Sequence, residues 1–519
     1  MYLTQALKRT VQLEGRNTAT ICGDRVRSWN ECGERVAKMA GALRKMGITD
    51  GERVAVLALN SDRYFEYFYA VPWAGGVFVP INIRLAAPEV AFWLNDSGTE
   101  ILFIDDNFLH ILEALDGQLE TVREVVYMGD GPVPNGMHGY EDILAAADAV
   151  SDALRGGDDL AGLFYTGGTT GRSKGVMLSH TNFVCNSYNV IGGMRFRPGI
   201  HWLHAAPMFH IADGLAVFGV TMVTGVHIFI PAFTPEDSLE AIQAHKISHG
   251  LFVPTMMNAL VNHPDIEKYD LSSLESVAYG ASPMPEAVIR RAMEVIPDCG
   301  FIHAYGQTEC APLSTHCGPE YHVFEGPNAG RYKTAGRAAL GVEIMICDED
   351  GNEVPRGEVG EVCVRGPNIM LGYWNRPDLT AEAIRDGWMR SGDGAYMDED
   401  GFIYIVDRMK DMIISGGENI YSAEVEDVLH RIPAVVEAAA IGIPDEKWGE
   451  AVHAIVRLRD GETVDEAAII AHCHEQIAGF KCPKSVSFRD EPMPLSGAGK
   501  ILKTELRKPY WEDKQKQVN

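Results

Sequence analysis

The chain has 519 residues, of which 46% are apolar and 23% charged, and its formal net charge is −27. This length exceeds one ordinary compact core, so at least two domains are expected, and the apolar fraction is typical of soluble globular proteins. Because so acidic a surface repels phosphate backbones, the composition argues against nucleic acid as a partner.

Ten cysteines are dispersed along the chain, and no two stand at the CxxC spacing of a zinc site. His472, Cys473 and His474 are adjacent, but neighbouring residues on a helix point in different directions, so we expect no metal site there. Dispersed free thiols suit a reducing compartment, so the sequence predicts a cytoplasmic protein. The first fifteen residues carry charges and no apolar core, which argues against a signal peptide.

Short apolar runs alternate with helical patterns in the N-terminal part of the chain. Strands are predicted at 53–59, 77–79, 100–104, 250–253 and 276–279, and helices at 62–70, 89–96 and 285–295. The first of these helices is expected to stop near Pro72, because proline disrupts a helix interior. This alternation favours a mostly parallel sheet covered by helices.

The longest stretch without Asp, Glu, Lys or Arg runs from 214 to 235. Its length alone would allow a membrane span. Gly219, Gly225 and Pro231 interrupt it, so the favoured interpretation is a buried helix, a turn at Gly225 and a buried strand at 226–230. No integral membrane span is therefore expected.

The pattern changes after about residue 336, where strands at 341–346, 360–365 and 401–406 are separated by Asp/Gly turns. These turns predict a small β-rich subdomain. A helix at 422–430, strands at 435–443 and 450–457 and a helix at 463–476 then predict a compact α+β unit. The predicted fold class is α/β and α+β, with a large N-terminal domain over 1–408 and a small C-terminal α+β domain over 409–519.

The most informative segment is YTGGTTGRSKG at 165–175, which lies between apolar strands at 160–164 and 176–178. Its glycines let the backbone approach a ligand closely, and successive N–H groups can bind an anion. Lys174 adds a positive charge, so the segment predicts a phosphate-binding loop. It is not an ordinary P-loop, since no Ser or Thr follows Lys174 and a strand rather than a helix comes next.

With this loop the chain resembles the adenylate-forming enzymes, which include acyl-CoA synthetases, coumarate-CoA ligases, peptide-synthetase adenylation domains and beetle luciferases. Further motifs similar to those of the family appear in the family's order, and the resemblance covers nearly the whole chain. They are PMFH at 207–210, GASP at 280–283, YGQTE at 305–309, SGD at 391–393, DRMKDMI at 407–413, SGGEN at 415–419 and PLSGAGK at 494–500.

The resemblance implies which residues bind Mg·ATP. The phosphate loop contributes Thr166, Gly167, Gly168, Thr169, Thr170 and Lys174. The adenine is expected beside Gly280, Ala281, Ser282 and Tyr305. The ribose is expected to contact Asp393, whose carboxylate suits a diol, and Arg408. Thr308 would contact phosphate or the substrate carboxylate, and Glu309 would hold Mg²⁺, a hard cation that needs oxygen ligands.

The resemblance also implies the catalytic and acyl-binding residues. Lys500 would touch the α-phosphate and the substrate carboxylate, where developing negative charge needs a preorganised cation. Lys410 would be the pivot of a mobile C-terminal domain. Gly416 and Gly417 would approach the thiol arm of coenzyme A, and Phe209 and His210 would line the acyl pocket.

The predicted function is that of a carboxylate–CoA ligase for fatty acids. ATP and Mg²⁺ are its expected cofactors, coenzyme A its co-substrate, and a small carboxylic acid its partner. An aryl, cinnamoyl or short functionalised acid stays open as the substrate. A non-catalytic nucleotide sensor is the other alternative, against which the joint presence of Lys500, Glu309 and Asp393 argues. Some relatives have a basic residue after the hinge where this chain has Ile413 and Ile414, so no cation for the thiol step is assigned there. The resemblance suggests a homodimer.

Overall fold

The computed structural model describes residues 1–166, 173–282, 284–408, 411–415, 418–445, 447–495 and 501–511. Two compact units are present. Residues 1–281, 288–344 and 364–389 form the first unit, and residues 282–287, 345–363 and 390–519 form the second unit. Within the described ranges, no helix combines the length and the apolar character that crossing a membrane would require.

The strands are numbered in chain order. They are β1 (Thr18–Cys22), β2 (Arg25–Ser28), β3 (Arg53–Leu57), β4 (Val77–Pro80), β5 (Thr99–Ile104), β6 (Glu124–Tyr127), β7 (His138–Gly139), β8 (Leu160–Thr166), β9 (Lys174–Ser179), β10 (His201–His204), β11 (Val226–Phe229), β12 (His249–Leu251), β13 (Ser276–Gly280), β14 (Gly300–Gly306), β15 (Leu313–Cys317), β16 (Arg337–Ala338), β17 (Glu343–Cys347), β18 (Gly360–Arg365), β19 (Gly372–Tyr373), β20 (Ile384–Arg385), β21 (Trp388–Met397), β22 (Ile403–Arg408), β23 (Ile413–Ser415), β24 (Glu418–Ile420), β25 (Val435–Asp445), β26 (Gly449–Leu458) and β27 (Ser485–Arg489).

The α-helices are numbered in the same way. They are α1 (Thr4–Glu14), α2 (Trp29–Lys45), α3 (Asp62–Ala74), α4 (Ala87–Ser97), α5 (Leu109–Ala114), α6 (Tyr140–Ala145), α7 (His180–Gly193), α8 (Ile211–Met222), α9 (Pro235–His245), α10 (Pro254–Val261), α11 (Glu286–Val295), α12 (Pro377–Ala383), α13 (Ser422–Leu429), α14 (Glu466–Gln476) and α15 (Lys503–Trp511). Short 3₁₀ helices lie at Asp106–Phe108, Ile266–Lys268, Thr308–Cys310, Pro319–Tyr321 and Arg331–Lys333.

Two large sheets build the first unit. The first sheet has the order β16-β15-β14-β13-β12-β10-β11-β1-β2, and its strands from β14 to β1 run parallel. The second sheet has the order β19-β9-β8-β4-β3-β5-β6-β7 and is parallel from β8 to β7. The predicted mostly parallel architecture is therefore confirmed.

Helix α3 lies between the two sheets and is buried around almost its whole circumference. Its charged residues Asp62, Arg63 and Glu66 are buried as well, and each is ion-paired. The Phe65 ring lies 4.7 Å from that of His227 in the first sheet, and the Phe68 ring lies 5.2 Å from that of Phe78 in the second. Helix α3 runs on through Pro72 to Ala74, so the predicted stop near Pro72 is wrong. The helix instead ends at Gly75, whose φ of 99° provides the left-handed cap.

The uncharged stretch at 214–235 forms the buried helix α8, a turn that includes Gly225, and strand β11. This agrees with the prediction of a buried helix, a turn and a strand. Thr10 of α1 donates a hydrogen bond to the carbonyl of Thr221 at 2.7 Å, so the end of α8 is tied to the N-terminal helix.

A third sheet has the order β17-β18-β21-β20, with β22 paired to β21. In it Cys347 and Cys363 form a disulfide, while the cysteines elsewhere in the described residues are free. The expectation that all ten thiols are free is thus wrong for this pair, because adjacent strands bring together two residues that are 16 apart in sequence.

The fourth sheet, in the second unit, has the order β24-β23-β26-β25, with β27 paired to β26. Its long hairpin β25–β26 carries apolar residues that pack under α13 and α14. This arrangement accounts for the α+β pattern seen in the C-terminal sequence. The boundary between 408 and 409 stays a prediction, since residues 345–363 and 390–408 also belong to the second unit.

Candidate active site

Several of the predicted site segments emerge from one edge of the first sheet. Strands β10, β12, β13 and β14 are parallel neighbours, so their carboxyl ends meet at the same edge, where open α/β sheets bind ligands. The loop 205–210 follows β10, residues 280–281 end and follow β13, and 305–309 end and follow β14. The predicted acyl and adenine segments therefore lie within four adjacent strands.

The turn after β13 is sterically constrained. A Cβ on Gly280 would overlap the carbonyl oxygen of Ala304 on β14, so only glycine allows this close approach. Ala281 follows with φ +69°, a left-handed conformation that costs energy for a residue with a side chain. Such strain is often found at ligand-binding sites. Ser282 comes directly after this turn, and Tyr305 is partly buried on β14.

Glu309 is buried in the 3₁₀ helix that follows β14, and Thr308 precedes it. The hydroxyl of Tyr373 donates a hydrogen bond to Oε1 of Glu309 at 2.9 Å. The Tyr373 hydroxyl thus binds one of the two carboxylate oxygens, Oε1. A carboxylate oriented through one oxygen can offer the other to Mg²⁺. Burial and the negative charge of Glu309 together raise the pKa of Tyr373, so this hydroxyl stays a donor.

The phosphate loop has an ordered base. Thr166 and Lys174 are paired across the antiparallel strands β8 and β9, and Nζ of Lys174 lies 4.9 Å from the centre of the Tyr373 ring. The predicted loop residues Gly167, Gly168, Thr169 and Thr170 lie outside the described residues. Lys174 and Glu309, predicted from motifs far apart in sequence, thus contact the same tyrosine.

Aromatic residues pack against the start of β9, next to Lys174. The backbone N–H of Trp374 donates to the carbonyl of Gly175 at 2.7 Å, and a Cβ on Gly175 would crowd both Tyr165 and Trp374. The Tyr165 hydroxyl donates to Asp96 at 2.6 Å, and its ring stacks on Trp93. These contacts hold the start of β9 in place.

The predicted acyl-pocket residues lie in the loop between β10 and α8. Phe209 is buried, and His210 caps the N-terminus of α8 by accepting a hydrogen bond from Ala212 N–H at 3.3 Å. Buried Asn60 clamps this loop from the turn after β3. Its amide donates to the carbonyls of His204 and Ala206 at 3.2 and 2.9 Å and accepts from the Met208 N–H at 2.8 Å.

A buried polar chain closes the base of the same loop. Asp213 on α8 bonds Nδ1 of His204 at 2.7 Å and accepts from the Trp202 indole at 3.2 Å. Nε2 of His204 contacts His227 at 3.0 Å, and His227 contacts Thr221 at 3.1 Å. Burial lowers the pKa of His227 well below its ordinary value, so this ring is neutral.

The predicted ribose-binding strands lie in the second unit. Asp393 on β21 is paired with Arg408 on β22, and its N–H is bonded to the Ser391 hydroxyl at 3.0 Å. Gly392 has φ +75°, and its N–H donates to Glu361 at 2.8 Å. The side chain of Arg408 lies outside the described residues, as do Lys410, Gly416, Gly417 and Lys500.

Two residues of the site were not predicted from sequence. Tyr373 lies outside the recognised motifs, and only its place in a β-rich segment after a glycine could have drawn attention to it. Asn60 stands directly after the predicted strand 53–59, at a strand end where polar side chains frequently serve a site. Neither position signals by itself which partner the side chain meets.

Known proteins resemble this chain in both sequence and fold. The profile of the AMP-binding enzyme family matches residues 7–374, and that of the AMP-binding enzyme C-terminal domain matches 424–500. A feruloyl-CoA synthase of Amycolatopsis sp is 39% identical over 503 residues, covering 97% of this chain and 98% of that protein. The long-chain-fatty-acid–CoA ligase FadD13 of Mycobacterium tuberculosis is 35% identical, covering 91% of each chain.

Among solved structures, ATP-bound MatB from Rhodopseudomonas palustris superposes with a TM-score of 0.87 at 31% identity, covering 98% of this chain and 99% of that one. Matches of this extent reach well beyond a shared nucleotide loop, since they include both the large domain and its C-terminal partner. The chain accordingly belongs to the AMP-binding enzymes and is an acid–thiol ligase of the acyl-CoA synthetase family.

Proposed function

We propose that this enzyme converts ATP and a fatty acid to acyl-AMP and pyrophosphate, and then transfers the acyl group to coenzyme A with release of AMP. The observation that carries the proposal is the meeting of Lys174 and Glu309 on one side chain, Tyr373. A phosphate-binding cation and a carboxylate suited to Mg²⁺ are the two groups that a triphosphate site needs.

In the first half-reaction the substrate carboxylate attacks the α-phosphate, and pyrophosphate leaves. Bound Mg²⁺ would neutralise phosphate charge, and Glu309 would hold it through the oxygen that Tyr373 does not occupy. Lys174 would bind the phosphates at the loop base, and Lys500 would stabilise the charge that develops between the carboxylate and the α-phosphate. Catalysis of this kind rests mainly on positioning and on charge neutralisation.

In the second half-reaction the thiol of coenzyme A attacks the acyl carbonyl, and AMP leaves. The resemblance to the family supports a rotation of the C-terminal domain about Lys410 between the two steps, a known type of conformational switch. That rotation would withdraw Lys500 and bring Gly416 and Gly417 towards the thiol. Asp393 and Arg408 would keep the ribose bound throughout.

The fatty-acid proposal is supported by the segment that carries Phe209 and His210 and by the apolar helix α8 that follows it. A second candidate is an aryl or cinnamoyl acid, which the 39% identity with a feruloyl-CoA synthase favours. Pocket shape rather than shared motifs separates the two, because fold and motifs are common to ligases of different acids.

The test is AMP and pyrophosphate release from Mg·ATP and coenzyme A with a panel of acids that differ in chain length and aromaticity. CoA-dependent AMP release with fatty acids supports the proposal, and release with cinnamoyl or benzoyl acids alone selects the second candidate. Release of ADP and phosphate would contradict a ligase of this type. Acyl-AMP that forms but never passes to coenzyme A would point to another thiol or an amine as the acceptor.

A further inference from the structure

Tyr373 is held in place by its own backbone. It forms one of the two pairs of the short antiparallel ladder between β19 and β9, opposite Val176. Its N–H donates to the Thr380 hydroxyl at 2.9 Å. The side chain is buried, with 8% exposure. Tyr373 is therefore a fixed support, whose ring and hydroxyl point in directions set by the sheet.

Two chemically different groups use that support. The hydroxyl donates to Oε1 of Glu309 at 2.9 Å, and the ring face meets the Lys174 ammonium 4.9 Å from its centre. A cation over an aromatic face is attracted by the ring electrons, and a hydrogen bond to a carboxylate restricts the rotation of that carboxylate. One side chain thus orients both the carboxylate and the cation.

The backbone of Glu309 is fixed independently. Its carbonyl accepts from the Met370 N–H at 2.9 Å, three residues before Tyr373. The segment 370–373 therefore fixes the main chain of Glu309 through Met370 and its carboxylate through Tyr373. Because Met370 fixes the main chain, loss of the Tyr373 hydrogen bond would leave the Glu309 carboxylate free to rotate without moving its backbone.

We propose that Tyr373 is a positioning residue for Mg·ATP: it holds Oε1 of Glu309 so that Oε2 faces the cation, and it holds Lys174 at the base of the phosphate loop. The proposal rests on the proposed function, since it assumes that Glu309 and Lys174 serve Mg·ATP. Groups that hydrogen-bond to metal ligands typically contribute a factor of about 10 to 100 in metal affinity or activity.

The chain offers a matched control for a purely structural role. The hydroxyl of Tyr140 on α6 donates to buried Glu66 on α3 at 2.7 Å, and Arg35 also binds that carboxylate. This pair has the same chemistry as Tyr373 and Glu309 and is fully buried, but it belongs to none of the predicted site segments. Tyr140→Phe measures what losing such a hydroxyl costs the fold.

The experiment compares wild type, Tyr373→Phe and Tyr140→Phe. Mn²⁺ affinity in the presence of ATP is measured by electron paramagnetic resonance, and pyrophosphate release is measured as a function of Mg²⁺ concentration. We expect Tyr373→Phe to weaken Mn²⁺ binding by about 10- to 100-fold and to raise the Mg²⁺ requirement of adenylation. Thiolysis of supplied acyl-AMP should be spared, and Tyr140→Phe should leave Mn²⁺ affinity unchanged.

A second comparison keeps the proposal testable if the phenylalanine variant is poorly folded. Glu309→Gln and the double variant Tyr373→Phe/Glu309→Gln are measured for Mn²⁺ binding. Because Tyr373 acts on the metal through Glu309, the second substitution should add little to the first. Fully additive losses, or wild-type Mn²⁺ affinity in Tyr373→Phe, would overturn the proposal. A wild-type enzyme without acid-dependent pyrophosphate release would instead refute the proposed function itself.

Discussion

The charged residues assigned to the reaction on ATP are Glu309, Lys174 and Lys500. Their assigned roles rest on different kinds of observation. Glu309 and Lys174 are oriented by Tyr373, whereas the catalytic role of Lys500 is implied by the PLSGAGK motif alone. A motif assigns a role to a residue, and a contact explains how the residue is held in that role. The two kinds of support call for different experiments.

Lys500→Ala is expected to slow adenylation by at least about 100-fold, which is the usual cost of losing one preorganised charge donor. Thiolysis of supplied acyl-AMP should be nearly unchanged, since Lys500 is assigned to the first half-reaction only. The two half-reactions are measured separately, by pyrophosphate release and by CoA-dependent AMP release from acyl-AMP. An equal fall in both rates would remove Lys500 from its assigned role.

At the residue scale, site residues that stand together in one motif can be predicted from sequence, and site residues that meet only in the folded chain cannot. Thr308 and Glu309 stand together in YGQTE, so their neighbours in sequence identify them. Tyr373 contacts Glu309 across 64 residues, and no local pattern records a contact of that separation. The left-handed φ of Ala281 is likewise not predictable from local sequence, since alanine rarely adopts it.

At the scale of elements, the loop 205–210 is held in its conformation by hydrogen bonds from outside the loop. Asn60 makes two hydrogen bonds to the loop backbone and a third to the carbonyl of His204, and Asp213 bonds the His204 side chain at the point where β10 ends. The loop carries Phe209 and His210, which we assign to the acyl pocket. Its shape therefore depends on a turn of the second sheet that is distant in sequence.

Asn60→Ala is expected to raise the KM for the acid more than the KM for ATP, because the Ala206 carbonyl and the Met208 N–H of the acyl loop lose their partner. The unfolding free energy should fall by a few kcal/mol, at about 1–3 kcal/mol for each buried group left unpaired. Both KM values and the denaturation midpoint are measured on the full chain.

Asn95→Ala is the control for this substitution. Asn95 also clamps a loop with both ends of its amide, through Gln118 and Glu120, but it does so at the surface and away from the acyl loop. It should change neither KM. If Asn60→Ala raised the KM for ATP as much as that for the acid, a specific role in the acyl loop would be excluded.

Elements were predicted best where hydrophobic period and turn residues agree. The strand at 360–365 and the helix that ends at Val295 have the predicted limits or nearly so. The sequence predicts too early an end for α3, because proline is unfavourable in a helix interior, whereas the helix runs through Pro72 to the cap at Gly75. Burial of α3 between two sheets outweighs the local cost of one proline.

At the scale of the whole molecule, partly buried charged groups join distant segments of the second unit. Lys503 at the start of α15 pairs with Glu426 on α13 at 2.7 Å and also bonds the Ser422 hydroxyl. Ser422 in turn donates to Asp407 at the end of β22 at 2.6 Å. Burial opposes the charge of Lys503, but Glu426 and Asp407 outweigh it and raise the pKa of Lys503.

Lys503→Met is expected to lower the unfolding free energy of the second unit by at most about 3–5 kcal/mol, the cost for a fully buried pair, because it leaves the mostly buried Glu426 carboxylate without its cation. The double variant Lys503→Met/Glu426→Leu should recover most of that loss, since a well-packed apolar pair often replaces a buried ion pair at little cost. Thermal unfolding of the full chain is the measurement.

The control for Lys503→Met is Lys246→Met, which breaks an exposed ion pair with Asp270 and should have little effect on stability. A double variant as unstable as Lys503→Met would mean that the lysine stabilises the second unit by packing rather than by charge. In the sequence, Lys503 is one of several lysines near the C-terminus, so its contacts with Glu426 and Ser422 cannot be predicted from it.

The pH dependence of stability follows from histidines buried in the first unit. Burial lowers the pKa of His180, His249 and His322 to about 4, below the ordinary value of 6.5. A histidine with a depressed folded pKa binds a proton more readily when unfolded, so its stabilisation is present above pH 6.5 and is lost as pH falls towards 4. Glu66 and Asp105, whose pKa values burial raises, act in the opposite direction at lower pH.

We therefore expect the thermal midpoint to fall between pH 7 and pH 5, with each histidine contributing up to about 1.4 kcal/mol per pH unit below 6.5. His322→Gln should weaken this dependence, because glutamine can still donate to the Gly318 carbonyl and accept from the Tyr279 hydroxyl but does not titrate. His110→Gln, at an exposed position, should leave the slope unchanged. A midpoint that stays constant from pH 7 to 5 in the wild type would show that protonating the unfolded histidines does not govern acid stability.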